Sequence, residues 1–500
     1  MWTWLRPKDD LGASEIEHGM RMLVRDAVFA QSMLVLTTGA FLVAFALLLG
    51  ASNIVIGLLA AVGPIAQTLQ IPAILLVEKA RRRKVIAFVT ITLSRLSVLG
   101  IAVLPWVVPV RIALPVFLVF LLLYFGLGAV GGCAFNSWFR DVVPVERINN
   151  VLTRRLTWAT LAGAILSFAA AYGIDVYKAH FANPIGAYSV LFAVGCLAGL
   201  VSMYYLMRTP EPRMPSLGYA NLRALLAEPL RDRNYRNFLV FLGSWNFAVN
   251  FAAPFFIVYM LVRLDLSMTA VLSLSLLGQI FNVLFFGIWG RLADRYSNKS
   301  VLLLSVPWFF FSYLLWPFTT LPERHLMTVP LLIIIHILSG IATAGVALSA
   351  GNLAYKSAPF GRAASYLAVN ALVSGVAAAL SPILAGFAAE AFAPYELRFA
   401  LSWSRWQENL VHMNVPAIDL RGMDFLFIMA FVFGLYAIHR LMPIRENGEV
   451  SERVLRDAFF AETLQKARQV SAAAGLRPAT AMLTIPLQHG AEAPAEAVER

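Results

Sequence analysis

Twelve apolar runs dominate this chain, at about 27–49, 54–77, 85–106, 113–135, 156–175, 187–206, 237–262, 270–289, 301–319, 328–350, 365–391 and 424–441. A helix of roughly 20 apolar residues is long enough to cross the hydrocarbon of a bilayer. Inside lipid each peptide group must find its partner within the segment, so every run reads as a transmembrane helix and the fold class as all-α and polytopic. The chain is 59% hydrophobic and 14% charged. A soluble protein of 500 residues would need more charge to cover its surface. Cys133 and Cys196 both fall inside apolar runs, which indicates no disulfide framework.

Charge placement gives orientation. Most of the 40 Lys and Arg residues lie in the N-terminal segment, in alternate loops and in the C-terminal tail. Such residues are retained on the cytoplasmic side, so both termini are expected in the cytoplasm and the chain in the cell inner (plasma) membrane. The net charge of +12 is then explained by topology and anionic lipid, and no nucleic-acid partner is expected. No positive–apolar–small pattern comes first, so no signal peptide is expected. The boundaries follow: an N-terminal segment 1–26, a six-helix bundle 27–206, a linker 207–236 with Pro210, Pro212, Pro215 and six arginines, a second bundle 237–441, and a tail 442–500. Ser14 with Glu17 reads as a capping box opening the helix of span 1. The tail reads as a helix over 451–470 followed by an Ala/Pro-rich disordered end.

The halves repeat. Between spans 8 and 9 stands Gly290-Arg291-Leu292-Ala293-Asp294-Arg295-Tyr296-Ser297-Asn298-Lys299, a short charged turn. With Leu76 laid on Leu292, Glu78 falls on Asp294 and Lys79 on Arg295; the same register puts Asn136 on Asn352 and Arg140 on Lys356. Parallel halves of this kind are an expected transporter architecture. The turn, G-x-L-A-D-R-x-x-x-K, resembles the signature loop of the major facilitator superfamily, with Ser297 in place of the family's second glycine and Ile74 in place of the first in the earlier copy. The resemblance implies twelve helices in two bundles, a midplane site between them, and cytoplasmic turns that latch one state. It makes Gly290, Asp294, Arg295 and Glu78 gating residues. A carboxylate there can cap a neighbouring helix N-terminus; ordinary hairpin polarity is the alternative. Asp141, with Arg154 or Arg155, reads as a second latch between spans 4 and 5, mirrored by Lys356 and Arg362, or as solvated loop charge. In span 4, Phe125 to Ala129 is similar to a glycine motif that follows an arginine in proton-coupled members, but Leu122 holds the arginine's place. The antiporter glycine–proline signature is missing from span 5.

Candidate binding residues come from polar stripes on apolar helices: Gln31 and Thr38 in span 1, Asn246 and Asn250 in span 7, Gln279 and Asn282 in span 8, and Asn370 in span 11. Polar side chains are costly against lipid, so these faces should look inward, as substrate contacts or as interhelical bonds. Arg95 stands near the middle of span 3, where a charge must face protein or water. Its partner is read as a carbonyl, Gln67 or Gln70, or an anionic solute, because Asp26 and Glu390 look terminal. His336 in span 10 is a candidate carrier of a coupling proton, or a simple hydrogen-bonding residue. Phe399, Trp403 and Trp406 in the long loop 392–423 are read as an interfacial anchor or a lid. No catalytic, metal or cofactor constellation is found. The expected function is a monomeric secondary transporter, a permease for a small solute with a proton or cation as possible driving ion. Export of amphiphilic compounds past Trp158, Trp245 and Phe281 is the alternative, and a membrane sensor or enzyme a distant third.

Overall fold

The computed structural model describes residues 7–9, 11–181, 183–214, 229–320, 323–357, 363–404, 411–446 and 448–473. Ten helices in it are long and apolar enough to cross a membrane. They correspond to spans 1, 3 to 8 and 10 to 12: Ala13–Leu48, Arg83–Val107, Arg111–Val142, Asn150–His180, Ile185–Met207, Arg233–Arg263, Met268–Arg295, Thr328–Lys356, Tyr366–Phe392 and Met423–Leu441. The other two places are held by shorter helices. Span 9 is Asn298–Leu314, 17 residues, continued by a 3-10 turn Trp316–Thr319. Span 2 is broken into Asn53–Gln67 and Gln70–Ala80. The break has a cause in the sequence. Pro72 has no N–H to offer the carbonyl of Thr68, and its ring crowds that carbonyl.

Span 1 is broken as well, into Ala13–Thr37 and Gly39–Leu48. Thr38 is extended and Gly39 has φ +61, a conformation that a side chain disfavours. Thr38 Oγ1 donates back to the Leu34 carbonyl at 2.7 Å. Irregular backbone at membrane depth is tolerated where it is buried in protein or lines a cavity. At its other end span 1 opens at Gly12, not at Ser14: Glu15 reaches back to the Gly12 N–H at 3.3 Å, and Glu17 instead pairs with Arg147 at 3.0 Å.

The first bundle packs span 1 on spans 5 and 6 and span 3 on spans 4 and 6; the second packs span 7 on spans 11 and 12 and span 10 on spans 8 and 9. The loop after span 11 holds an antiparallel hairpin, Glu396–Ser404 with Val411–Arg421, in place of an irregular loop. Phe399 on it is exposed. The side chain of Trp403 and all of Trp406 lie outside the described residues. The tail helix runs Glu452–Ala473 and packs on spans 8 and 9.

Candidate functional site

The bundles meet at the face opposite the termini. Span 2 crosses span 11 there with almost no side chain between them: a Cβ on Gly57 would lie 2.2 Å from the Pro382 carbonyl, and one on Gly386 would lie 2.9 Å from that of Asn53. Small residues allow this approach of backbones. Beside it, Asp175 at the end of span 5 accepts the N–H groups of Met268 (3.0 Å) and Thr269 (2.8 Å), the first turn of span 8. A carboxylate on a helix N-terminus satisfies donors that have no partner in the helix and meets the positive end of its dipole. This is the chemistry expected of Asp294, placed on the other face and across the two bundles.

Below that seam lies a pocket of about 190 Å³ walled by spans 1, 5 and 8, with Gln31 from one bundle and Gln279 and Ser275 from the other. Gln31 also lines a larger pocket, about 600 Å³, inside the first bundle among spans 1, 3, 4, 5 and 6. Arg95 sits in its wall. Its Nη2 donates to Ser202 Oγ at 2.9 Å, and Ser202 Oγ donates to Asp26 Oδ1 at 2.5 Å. Arg155 reaches Asp26 Oδ2 at 3.6 Å and lies over the rings of Phe135 and Phe139. Asp26 is therefore not terminal: it is 4% exposed, the carboxylate that Arg95 lacked in the sequence reading. Helix Ala13–Thr37 continues so far below the apolar run that Asp26 lies at its middle.

The remaining candidates scatter. Asn246 and Asn250 bond back to their own helix, to the carbonyls of Leu242 (2.9 Å) and Asn246 (2.7 Å). Asn282 bridges to the Gly340 carbonyl of span 10 at 3.3 Å, and Asn370 accepts from Ser374 at 3.3 Å. His336 Nδ1 is 2.8 Å from the Leu332 carbonyl on its own helix, and its ring stands edge-on to Trp316. Trp245 is partly buried and packs against Phe309 and Phe310.

The face of the termini carries two separate clusters. Asp141 pairs with Arg83, not with Arg155. Arg83 is fully buried and also donates to the carbonyls of Ser137 (3.1 Å) and Pro212 (2.8 Å). Glu211 accepts the Lys84 N–H at 3.2 Å. Burial raises the Glu211 carboxyl above its ordinary pKa, against the N–H groups of Lys84 and Arg83. In the second bundle Asp294 and Arg295 are exposed, a Cβ on Gly290 would meet nothing, and span 9 is capped instead by Ser297 and by Glu446. Glu446 accepts from Lys299 N and Asn298 Nδ2, both at 2.7 Å, and lies 3.7 Å from Lys356. The side chain of Glu78 and residue Arg362 lie outside the described residues. Glu211 and Glu446 were missed because they fall in stretches read as linker and tail. Their one visible signal is that each follows the sixth span of its bundle by a few residues.

The family model described as Major Facilitator Superfamily matches residues 27–382. No curated protein matches the chain. Among solved structures, the nucleoside transporter NupG aligns with a TM-score of 0.63 at 12% identity, covering 86% of this chain and 98% of that one. A D-xylose–proton symporter aligns at 0.60 and 15% identity over 86% and 98%. A POT family transporter in complex with 5-aminolevulinic acid aligns at 0.58 and 13% identity over 86% and 96%. Identities this low carry the fold and leave the solute open.

Proposed function

The chain belongs to the major facilitator superfamily, and from that premise we propose that it moves a small polar solute by alternating access through the seam between its bundles. It is a multi-pass secondary transporter, as that family is, and not an enzyme. The observation that carries the finer reading is the pair Gln31 and Gln279, one from each bundle, facing one pocket next to the seam. Two amides held at membrane depth by separate bundles can grip a solute in one tilt of the bundles and release it in the other. Asp175 and the Gly57–Gly386 crossing hold the face away from the termini closed.

In this reading the termini are cytoplasmic, the membrane is the cell inner membrane, and the described state faces inward. Asp294, Arg295, Gly290 and Glu78 then act in the opposite state, closing the cytoplasmic face when the bundles tilt; exposure of Asp294 here fits an open latch. Asn246, Asn250 and Thr38 keep their side-chain oxygens as secondary solute contacts, and Asn370, whose oxygen accepts from Ser374, offers its amide N–H groups. A coupling proton on His336 would use its Nε2 edge, since Nδ1 is engaged. An uptake screen in proteoliposomes, with and without a pH gradient, tests the reading. Saturable uptake of a polar solute is expected, with Gln31→Leu and Gln279→Leu each raising KM or abolishing flux in protein of unchanged melting temperature. Flux untouched by both substitutions would overturn the assignment of the site.

A further inference from the structure

The pocket inside the first bundle holds two guanidiniums and one carboxylate. Arginine stays protonated in proteins. Asp26 is shared between them, directly with Arg155 and through Ser202 with Arg95, so the titratable groups lining the pocket leave one positive charge uncompensated. Arg95 is 6% exposed and its Nη1 is buried with no hydrogen-bond partner. A buried charge without a partner is costly, and a buried N–H without an acceptor adds to the cost. The stem of Arg95 is held in place: it passes Gly199, where a Cβ would come within 3.1 Å of its Cδ, and its own carbonyl accepts from Cys196. Nη1 is thus fixed and closed off, and what Arg95 presents to the pocket is its charge. The same pocket offers hydrocarbon from Leu34, Ile91 and Phe135 and polar groups from Gln31 and Asn136.

We propose that this pocket binds a small organic monocarboxylate, its carboxylate drawn in by the uncompensated charge of Arg95 and Arg155 and its hydrocarbon body against the apolar wall. One negative charge brings the site to neutrality. A neutral site costs less to enclose than a charged one, so the occupied protein passes more readily through a closed intermediate. The inference rests on the transport reading above and adds to it the charge of the solute. Gln31 lines both pockets and joins this site to the seam.

The experiment uses the purified full chain in detergent with four probes: benzoate and hexanoate, and their neutral counterparts benzamide and hexanamide. Calorimetry and thermal unfolding are read for each. The acids are expected to bind roughly 10- to 100-fold tighter than the amides, the range for a hydrogen bond to a charged group. Arg95→Gln should erase that preference. Asp26→Asn adds to the uncompensated charge and should widen it, a gain that a merely structural role for the cluster would not give. Equal binding of acids and amides, binding of neither, or a preference that survives in folded Arg95→Gln would overturn the proposal. Should Arg95→Gln fail to fold, a widened preference in Asp26→Asn supports the proposal and an unchanged or lost one overturns it. Proteoliposomes separate the two readings. Flux of a neutral polar solute with no binding of acids removes this inference and leaves the transporter intact; binding of acids with no flux of any solute does the reverse.

Discussion

Glu446 accepts a backbone N–H from Lys299, the second residue of span 9, as Glu211 does from Lys84, the second residue of span 3. The third helix of each bundle thus begins on a carboxylate supplied from beyond the sixth. Loss of a helix cap costs roughly 1–2 kcal/mol. Glu446→Ala should lower the thermal stability of the purified protein by that order, and Glu446→Gln, which can still accept, by less. Arg83→Ala should cost more, roughly 3–5 kcal/mol, because it leaves Glu211 buried beside an empty place. A melting curve equal to that of the parent would contradict either assignment. Next to Glu446, burial works to raise the Glu449 carboxyl, but Lys299 at 2.8 Å and the Glu446 N–H hold it below its usual range. A depressed carboxyl stabilises above its unfolded pKa and ceases to do so as pH falls through its folded one. The hold of Glu449 on Lys299 should therefore be complete above about 4.5 and fade below it, which protease sensitivity at the Val450 region against pH would read. None of these glutamates was legible in the sequence, since a carboxylate in a linker has no periodic signature and its partner is set by folding.

At the scale of elements, each apolar run falls on a helix, because burying about 20 apolar residues in lipid leaves one solution for the backbone, but several helices outrun their apolar stretch, span 1 most of all by starting at Ala13 instead of 27. The breaks were less legible. Span 2 reads as one run over 54–77 although Pro72 interrupts it, and Gly39 in span 1 looks like any membrane glycine until its φ of +61 is seen. The hairpin Glu396–Arg421 carries no clean alternation, so its sequence looks like loop. The tail helix was expected, but its docking was not. Phe459 stacks on Trp289 at 4.5 Å and meets Trp308 at 5.2 Å, Leu455 is fully buried, and Glu462 pairs with Arg291 at 3.0 Å. Truncating a buried phenylalanine costs roughly 3–5 kcal/mol. Phe459→Ala should release the tail helix, seen as a change in tryptophan emission and as cleavage of the tail by trypsin at concentrations the parent resists. Unchanged emission and resistance would show that the helix is held by other means.

For the whole molecule, the account turns on one motion: bundles that are closed at the face away from the termini must be able to part there and close at the other. The candidate site was half legible at this scale. Gln31 and Gln279 were found from their polarity on apolar helices, because a midplane amide needs a reason to be there. Asp26 was not, because its helix runs further than its apolar run. The Gly57–Gly386 crossing admits no side chain, so Gly386→Leu should wedge that face open in a protein that still folds. Spin labels on cysteines placed at Arg81 and Arg295, in the two charged turns of the opposite face, in a chain freed of Cys133 and Cys196, measure the consequence directly. The account predicts that Gly386→Leu shifts the label-to-label distance towards a shorter population. One unchanged distance in folded parent and folded variant would contradict a seam about which the bundles tilt.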